Sequence, residues 1–260
     1  MNGPLDSQPQ ATAVSASAMK SAIILGAAVL SPSAAHASAV KVEHNSAALE
    51  FSYSYPAEAA AIAPLNRRFQ ADLATQYRRA LQLGVEDLKI YKQEKRAGIS
   101  DFFSMEWTTA GQTPRLLSLQ NQFSTFTGGA HPNTSYGALL WDRRLGREIR
   151  MEALFLRPGA FAALTRSRYC AALNAERSKR RDGEKLDLAD FNACPKYSEL
   201  AIALVDKNRN GRFDTIDFVA SPYTAGPYAE GEYDISLPVT SQLIAAIKPD
   251  YRNSFERQRQ

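Results

Sequence analysis

Residues 48–56 read Ala48-Leu49-Glu50-Phe51-Ser52-Tyr53-Ser54-Tyr55-Pro56. Leu49, Phe51, Tyr53 and Tyr55 fall on one side of an extended chain and Glu50, Ser52 and Ser54 on the other, the pattern of a half-buried strand. Pro56 ends it, because proline has no N–H for the ladder. After an Ala-rich connection the period changes. Leu65, Phe69, Leu73, Tyr77 and Leu81 recur at helical spacing, with Pro64 suited to a first turn and Gly84 to a C-terminal stop. A second, charged helix is expected over 85–97, then strands over 102–109 and 115–127. Beyond the breaker-rich 128–133 loop, 136–141 and 147–151 flank a short turn as a hairpin. An amphipathic stretch over 158–181 carries Phe161, Leu164, Tyr169 and Leu173 on one stripe. Strands follow at 201–205, 213–220 and 232–237, then a helix over 240–247. One early strand and helix, then hairpins, a helix and more hairpins predict an α+β fold with antiparallel sheets and packed helices. Two sub-domains are expected, 45–127 and 128–251, with the 128–133 loop as their seam.

The chain has 260 residues, 45% of them hydrophobic and 22% charged, enough to bury a core without metals or many disulfides. A short apolar run at 22–30 follows Lys20 and leads through Pro32 to Ala35-His36-Ala37. This order of positive residue, apolar core and A-x-A site is that of a secretory signal peptide over 1–37, with translation starting at Met1 or Met19. The run is too short to cross a bilayer. A periplasmic or secreted protein without a transmembrane helix in its mature chain is therefore expected. Its net charge is +4 and its pI about 9.0, which favours anionic surroundings such as wall polymers. The runs Arg67-Arg68, Arg78-Arg79, Arg143-Arg144 and 177–181 read as solvated helix faces and turns. No nucleic-acid motif is present, so a nucleic-acid partner is not expected. Export makes a Cys170–Cys194 disulfide the expected state, with separate thiols and a reactive nucleophile as the alternatives.

Two segments carry a resemblance. They are Phe126-Thr127-Gly128-Gly129-Ala130-His131-Pro132-Asn133 and Pro222-Tyr223-Thr224-Ala225-Gly226-Pro227-Tyr228-Ala229-Glu230-Gly231. The first is followed by Trp141-Asp142, Gly146-Arg147 and Leu154-Phe155. Over 48–251 the chain resembles the PdaC/RsiV-like extracytoplasmic family, which pairs an N-terminal PdaC-type domain with a C-terminal RsiV-type domain of unknown function. The resemblance implies an exported α+β module that is not itself catalytic. In the deacetylase of that family the esterase domain is separate and follows this region, and no such domain is expected after Tyr251. The esterase's metal pattern, a paired Asp after a Thr-Phe strand and two His four apart, is also missing. In the lysozyme-responsive anti-sigma factor the same module is the receptor surface.

The residues themselves leave the site open. His131 and Asn133 either line a binding groove or brace the Gly-Gly turn. Tyr223, Tyr228 and Glu230 either form a recognition surface, since a tyrosine ring is rigid and amphipathic, or a structural loop with Gly226 and Gly231 at positive φ. Glu230 has no carboxylate partner in sequence, so a glycosidase pair is not expected. Serine-hydrolase, P-loop and dinucleotide fingerprints are absent. Asp206, Asn208, Asn210, Asp214 and Asp217 match oxygen positions of an EF-hand calcium loop, with Gly211 at the sharp turn. Asp217 is shorter than the usual Glu, three cationic residues share the loop, and the flanks read as strands. An Asn/Gly hairpin tip has the same composition. No cofactor is expected beyond weak calcium. The expected function is a non-catalytic envelope module binding a glycan or protein ligand. The alternatives are a lysozyme receptor or inhibitor, which the +4 charge does not favour, and a peptidoglycan hydrolase, for which no catalytic set is present.

Overall fold

A computed structural model describes residues 37–95, 98, 100–183 and 191–258. The expected leader, apart from Ala37, lies outside the described residues. β1 (Val40–Asn45) and β2 (Leu49–Tyr55) form an antiparallel hairpin. Its turn is closed by Ser46 Oγ, which accepts from the Ala48 and Leu49 amides at 3.2 and 3.1 Å. The alternation in β2 is realised, with Leu49, Phe51, Tyr53 and Tyr55 buried on one face. After the single turn α1 (Ala57–Ala60), α2 (Ala63–Gln93) packs Leu65 and Phe69 on that face. The buried tyrosine hydroxyls find partners on the same helix: Tyr53 Oη donates to Asp72 at 2.7 Å and Tyr55 Oη to Asn66 at 2.6 Å. Burial, reinforced by Asp72, pushes the Tyr53 phenol upward.

Gly84 does not stop the helix. α2 runs 31 residues through it, so the expected pair of helices is one. A glycine inside a helix costs about 1 kcal/mol relative to alanine. Here a Cβ at Gly84 would lie within contact distance of the Ala48 carbonyl oxygen, so the missing side chain lets the helix cross the β1–β2 turn.

Because α2 is a crossover, β3 (Asp101–Gln112) lies parallel to β2, the one parallel pair among the described strands, with a single parallel bridge, Phe213 to Phe255, outside them. β4 (Leu116–Phe126), β5 (Asn133–Asp142) and the two-residue β6 (Arg147–Glu148) follow as antiparallel neighbours, giving one six-stranded sheet in the order β1 to β6. The loop expected as a seam is the tip of the β4–β5 hairpin, and the sheet continues across it. A second layer begins at α3 (Ala160–Arg180), which packs Phe161, Tyr169 and Leu173 on the antiparallel sheet β7 (Leu200–Val205), β8 (Thr215–Ala220) and β9 (Tyr233–Pro238). α4 (Ser241–Ala246), N-capped by Thr240, and α5 (Pro249–Arg252) close this second core. The α+β class is as expected, with the parallel β2–β3 pair as an addition.

Both cores are pinned through Asp142 at the end of β5, which is fully buried. Arg115 grips it through two hydrogen bonds of 2.8 and 2.9 Å, Tyr251 Oη of α5 donates at 2.8 Å, and the Arg144 and Leu145 amides donate at 2.9 Å each. Burial alone would raise this carboxyl, but the donors outweigh it and hold it below the ordinary range. A depressed carboxyl contributes stability above the unfolded-state pKa, and that contribution disappears as pH falls through the folded value. Asp142→Ala strands Arg115 and is expected to cost about 3–5 kcal/mol in urea unfolding at pH 7, a difference that shrinks below about pH 4. Asp101, at the start of β3, behaves oppositely. Burial, then the neighbouring Asp87 of α2, pushes it up to about 6. The folded state therefore holds a proton that the unfolded state has released, and stability falls as pH rises from about 4 to 6. Asp101→Asn is expected to stabilise the protein by about 1–2 kcal/mol at pH 7.5 and to be near neutral at pH 3.5, read from melting at the two pH values.

Candidate functional site

The β4–β5 tip turns on Gly128 and Gly129, at φ of 94° and 106°, where a Cβ would be strained. The turn delivers His131 between two tyrosines of the 221–231 loop. The imidazole stacks on Tyr228 with ring centroids 3.6 Å apart and planes 12° from parallel. Its Nδ1 lies 2.9 Å from the Pro132 carbonyl, which can only accept, so Nδ1 carries the proton. Nε2 is then the acceptor for Tyr223 Oη at 3.3 Å. Tyr228 Oη donates to the same Pro132 carbonyl at 3.0 Å, and Ser221 Oγ accepts the Tyr136 amide at 3.0 Å. His131 therefore braces its own turn and also joins the tyrosine pair. Tyr223 is held at φ 68°, in the left-handed region, and is 55% exposed. Asn133 is exposed at the first position of β5, opposite Thr125.

Glu230 does not join this surface. Its carboxylate takes a bidentate pair from Arg181 Nε and Nη2 at 2.8 and 2.9 Å and a short hydrogen bond from Tyr233 Oη. Arg181, outweighing the effect of burial, keeps Glu230 below the usual carboxylate range. Gly226 sits against the same carboxylate, where a side chain would collide. Expected as a ligand residue, Glu230 is placed as an internal strut, engaged by Arg181 and Tyr233. The run 177–181, expected as a solvated face, is corrected. Arg177 is 4% exposed and donates to the Ala225 carbonyl at 2.9 Å and to the Asn192 and Ala193 carbonyls at 3.2 and 2.9 Å. Arg180 donates to the Glu230 and Glu232 carbonyls at 2.6 and 2.7 Å and covers the Tyr233 ring. A helix C-terminus rich in arginine, where carbonyls lack intrahelical donors, thus grips the tyrosine loop.

Beside the aromatic group lies a groove that could not be read from contiguous sequence. On the face of the large sheet away from α2, Ser54, Glu106, Gln122 and Tyr136 form one row across four strands, and Ser52, Ser104, Ser124 and Thr134 the next. With Glu232 and Asp234 as the opposite wall, this face borders a groove of about 270 Å³. Burial, then Glu232 and Asp234, raises the Tyr136 phenol. Asp234 is raised by desolvation and by Asp217 and Glu232, against the lowering effect of Lys207. The alternation that marks a strand as half-buried does not say what its polar face meets; the register does.

The 206–217 segment forms the β7–β8 connection. Asp206 accepts the Asn210 and Gly211 amides at 3.1 and 2.8 Å, Asn208 the Asn210 amide at 3.1 Å and Asn210 the Arg212 amide at 3.0 Å. Asp214 is buried, accepting from the Lys207 amide and Thr215 Oγ1, and Asp217 lies within β8, accepting from Ser236 Oγ at 2.6 Å. The oxygens proposed for calcium thus support a hairpin tip with Gly211 at φ 84°. Among the described residues no three His, Cys, Asp or Glu side chains are grouped to hold a metal ion. Cys170 and Cys194 are joined as a disulfide, which by closing this length of loop stabilises the fold by about 3 kcal/mol.

Residues 42–134 match the family model described as Deacetylase PdaC. Over that span the chain is similar to a PdaC domain. That match runs from β1 to the start of β5 and includes the His131 turn. No curated protein matches the chain. Among solved structures, a DUF3298 family protein from Pseudomonas aeruginosa PAO1 is similar with a TM-score of 0.55 at 16% identity, over 85% of this chain and 96% of that one. A DUF3298 family member from Bacteroides fragilis NCTC 9343 is similar at a TM-score of 0.48 and 16% identity, over 83% and 95% of the two chains. At such identity the likeness to the Pseudomonas protein establishes the fold alone.

If Glu230 is a strut, Glu230→Gln is expected to lower stability by about 2 kcal/mol at pH 7 by weakening a bidentate ion pair. Its pKa is depressed, so the difference from wild type should fade as pH drops through the carboxylate range, measured by urea unfolding at pH 7 and pH 3.

Proposed function

We propose that this protein is an exported, non-catalytic module of the cell envelope that recognises a glycan through the Tyr223–His131–Tyr228 surface and the adjoining groove. One observation carries the reading: a tyrosine ring held exposed in a disfavoured backbone conformation belongs to a loop that Ser221 ties to Tyr136, and Tyr136 lines a groove of hydroxyl, amide and carboxylate side chains. An aromatic face suits the apolar side of a sugar ring, and paired amides and carboxylates suit its hydroxyls. Protein partners instead select clustered apolar anchors. The exposed large apolar side chains among the described residues are Leu83, Val85, Ile90, Leu145, Leu156 and Tyr223, and Tyr223 alone belongs to this surface.

The resemblance of the second half to an RsiV-type domain and the PdaC match of the first half favour an envelope role. The disulfide fits an oxidising compartment. Among the described residues no helix is long and apolar enough to cross a membrane. The absence of turnover is part of the proposal, supported by the engagement of Glu230 with Arg181. A second reading, a receptor for a cationic protein such as lysozyme, draws on Glu106, Glu232 and Asp234, whose carboxylates make the groove acidic although the chain is net positive.

The test is co-sedimentation of the chain from Ser38 onward with purified peptidoglycan sacculi. We expect Tyr223→Ala together with His131→Ala to reduce the bound fraction at least tenfold without lowering the melting temperature by more than a few degrees, and no acetate or reducing ends to be released. Undiminished binding by the double variant would overturn the assignment of the surface, and sustained release would overturn the non-catalytic reading.

A further inference from the structure

Arg166, Cys170, Asn174 and Arg177 of α3 and its C-cap Arg181 recur at spacings of four, four, three and four, so they continue one stripe of the helix. One side of that stripe holds the 192–195 segment. Cys170 is bonded to Cys194, Arg166 donates to the Cys194 carbonyl at 2.7 Å and closely to that of Pro195, and Arg177 donates to the Asn192 and Ala193 carbonyls. The other side holds the tyrosine loop, through Arg177 to the Ala225 carbonyl and Arg181 to Glu230. Arg177 is the shared member: besides a bond to Asn174 Oδ1 at 3.1 Å, this nearly buried guanidinium donates both to the disulfide-tethered segment and to the loop that carries Tyr223 and Tyr228. A buried guanidinium that loses acceptors is costly to keep in place. Burial already works against its charge, and the neighbouring Arg181 adds to that.

We propose that the Cys170–Cys194 disulfide is a redox-sensitive control on the order of the 221–231 loop, transmitted by Arg177. Both cysteines are half-buried at the edge of the second core, not enclosed within it. A dithiol reductant supplies the chemistry. Its thiolate attacks one sulfur of the pair, the S–S bond breaks and a mixed disulfide forms. The reductant's second thiol then displaces that bond, leaving two cysteine thiols and an intramolecular disulfide in the reductant, with two electrons and two protons transferred. Without its covalent tether the 192–195 segment, still hydrogen-bonded by Arg166, no longer presents the Asn192 and Ala193 carbonyls at fixed positions. Arg177 then relaxes toward solvent, withdrawing its donor from Ala225, and the loop loosens. The consequence for binding rests on the recognition role proposed above, whereas the coupling is measurable without any ligand.

Hydrogen exchange read by mass spectrometry on the full chain, oxidised and after dithiothreitol, tests it. The Thr224, Glu230 and Gly231 amides bond within the loop, to the Ser221, Pro227 and Tyr228 carbonyls. Reduction, or Cys170→Ser with Cys194→Ser, is expected to speed exchange of peptides covering these amides at least tenfold while β3, β4 and α2 keep their protection. Arg177→Gln should give the same local acceleration with the disulfide intact, and reduction should then add nothing further. Unchanged loop exchange on reduction would overturn the proposal. So would uniform acceleration across both sheets, which would make the disulfide a general stabiliser, or a full additional increment in the Arg177→Gln background, which would exclude Arg177 as the link. Sacculi co-sedimentation on the same samples separates the two ideas: if oxidised protein does not bind, the recognition reading fails while the coupling stands or falls on exchange alone.

Discussion

The bidentate pair between Arg181 and Glu230 is the contact on which the site depends. After Ser221 the 221–231 loop runs ten residues, eight of them Pro, Tyr, Gly or Ala, with little apolar surface of its own to hold it down. Its position is imposed by three arginines from the last turns of α3, whose donors meet carbonyls and one carboxylate that would otherwise be buried without partners. Removing the carboxylate would leave Tyr233 Oη and the Arg181 guanidinium without the acceptor they share. With it in place, Tyr228 can stack on His131 and Tyr223 can be kept in a left-handed conformation that costs on the order of 1 kcal/mol.

This arrangement also changes the meaning of the chain's charge. A net charge of +4 describes a protein with an excess of arginine, and it invites the inference of a basic surface. Part of that excess is turned inward: Arg177 is nearly fully buried, and Arg115 and Arg181 are mostly covered by the carboxylates they hold. The groove next to the tyrosines carries Glu106, Glu232 and Asp234. Long-range attraction is governed by where charges lie as well as by their sum, so the groove has a local sign opposite to that of the molecule.

What could be read from sequence follows from which interactions are local. The period-two alternation of 49–55 and the helical spacing from Leu65 onward identify β2 and α2 because they report burial on one face. The same local logic failed at Gly84, where a residue that usually ends a helix serves a close approach to Ala48, a tertiary contact invisible along the chain. His131, Tyr223 and Tyr228 could be singled out as unusual residues within breaker-rich loops, and the fold brings them together. Glu230 stands in the same loop with the same composition, yet its partner lies on α3, forty-nine residues away. The polar groove was not legible at all. Its rows come from the register of four strands, and a shift of one residue would have sent those side chains to the other face. In the calcium-like loop the same side-chain oxygens accept the amides of the turn, so oxygen-rich spacing there serves the hairpin tip whether or not an ion binds.

The central claim is that one surface, made by the β4–β5 tip, the tyrosine loop and the polar face beside them, is where this protein meets its ligand. The most direct measurement is a backbone amide NMR titration of the isotope-labelled chain with a soluble, N-acetylated oligosaccharide cut from peptidoglycan. The account predicts saturable shift changes confined to residues 128–136 and 221–234 and to the Glu106–Gln122 row, with the exposed apolar positions on α2 unmoved. Saturable changes centred elsewhere, or none at millimolar oligosaccharide, would contradict it.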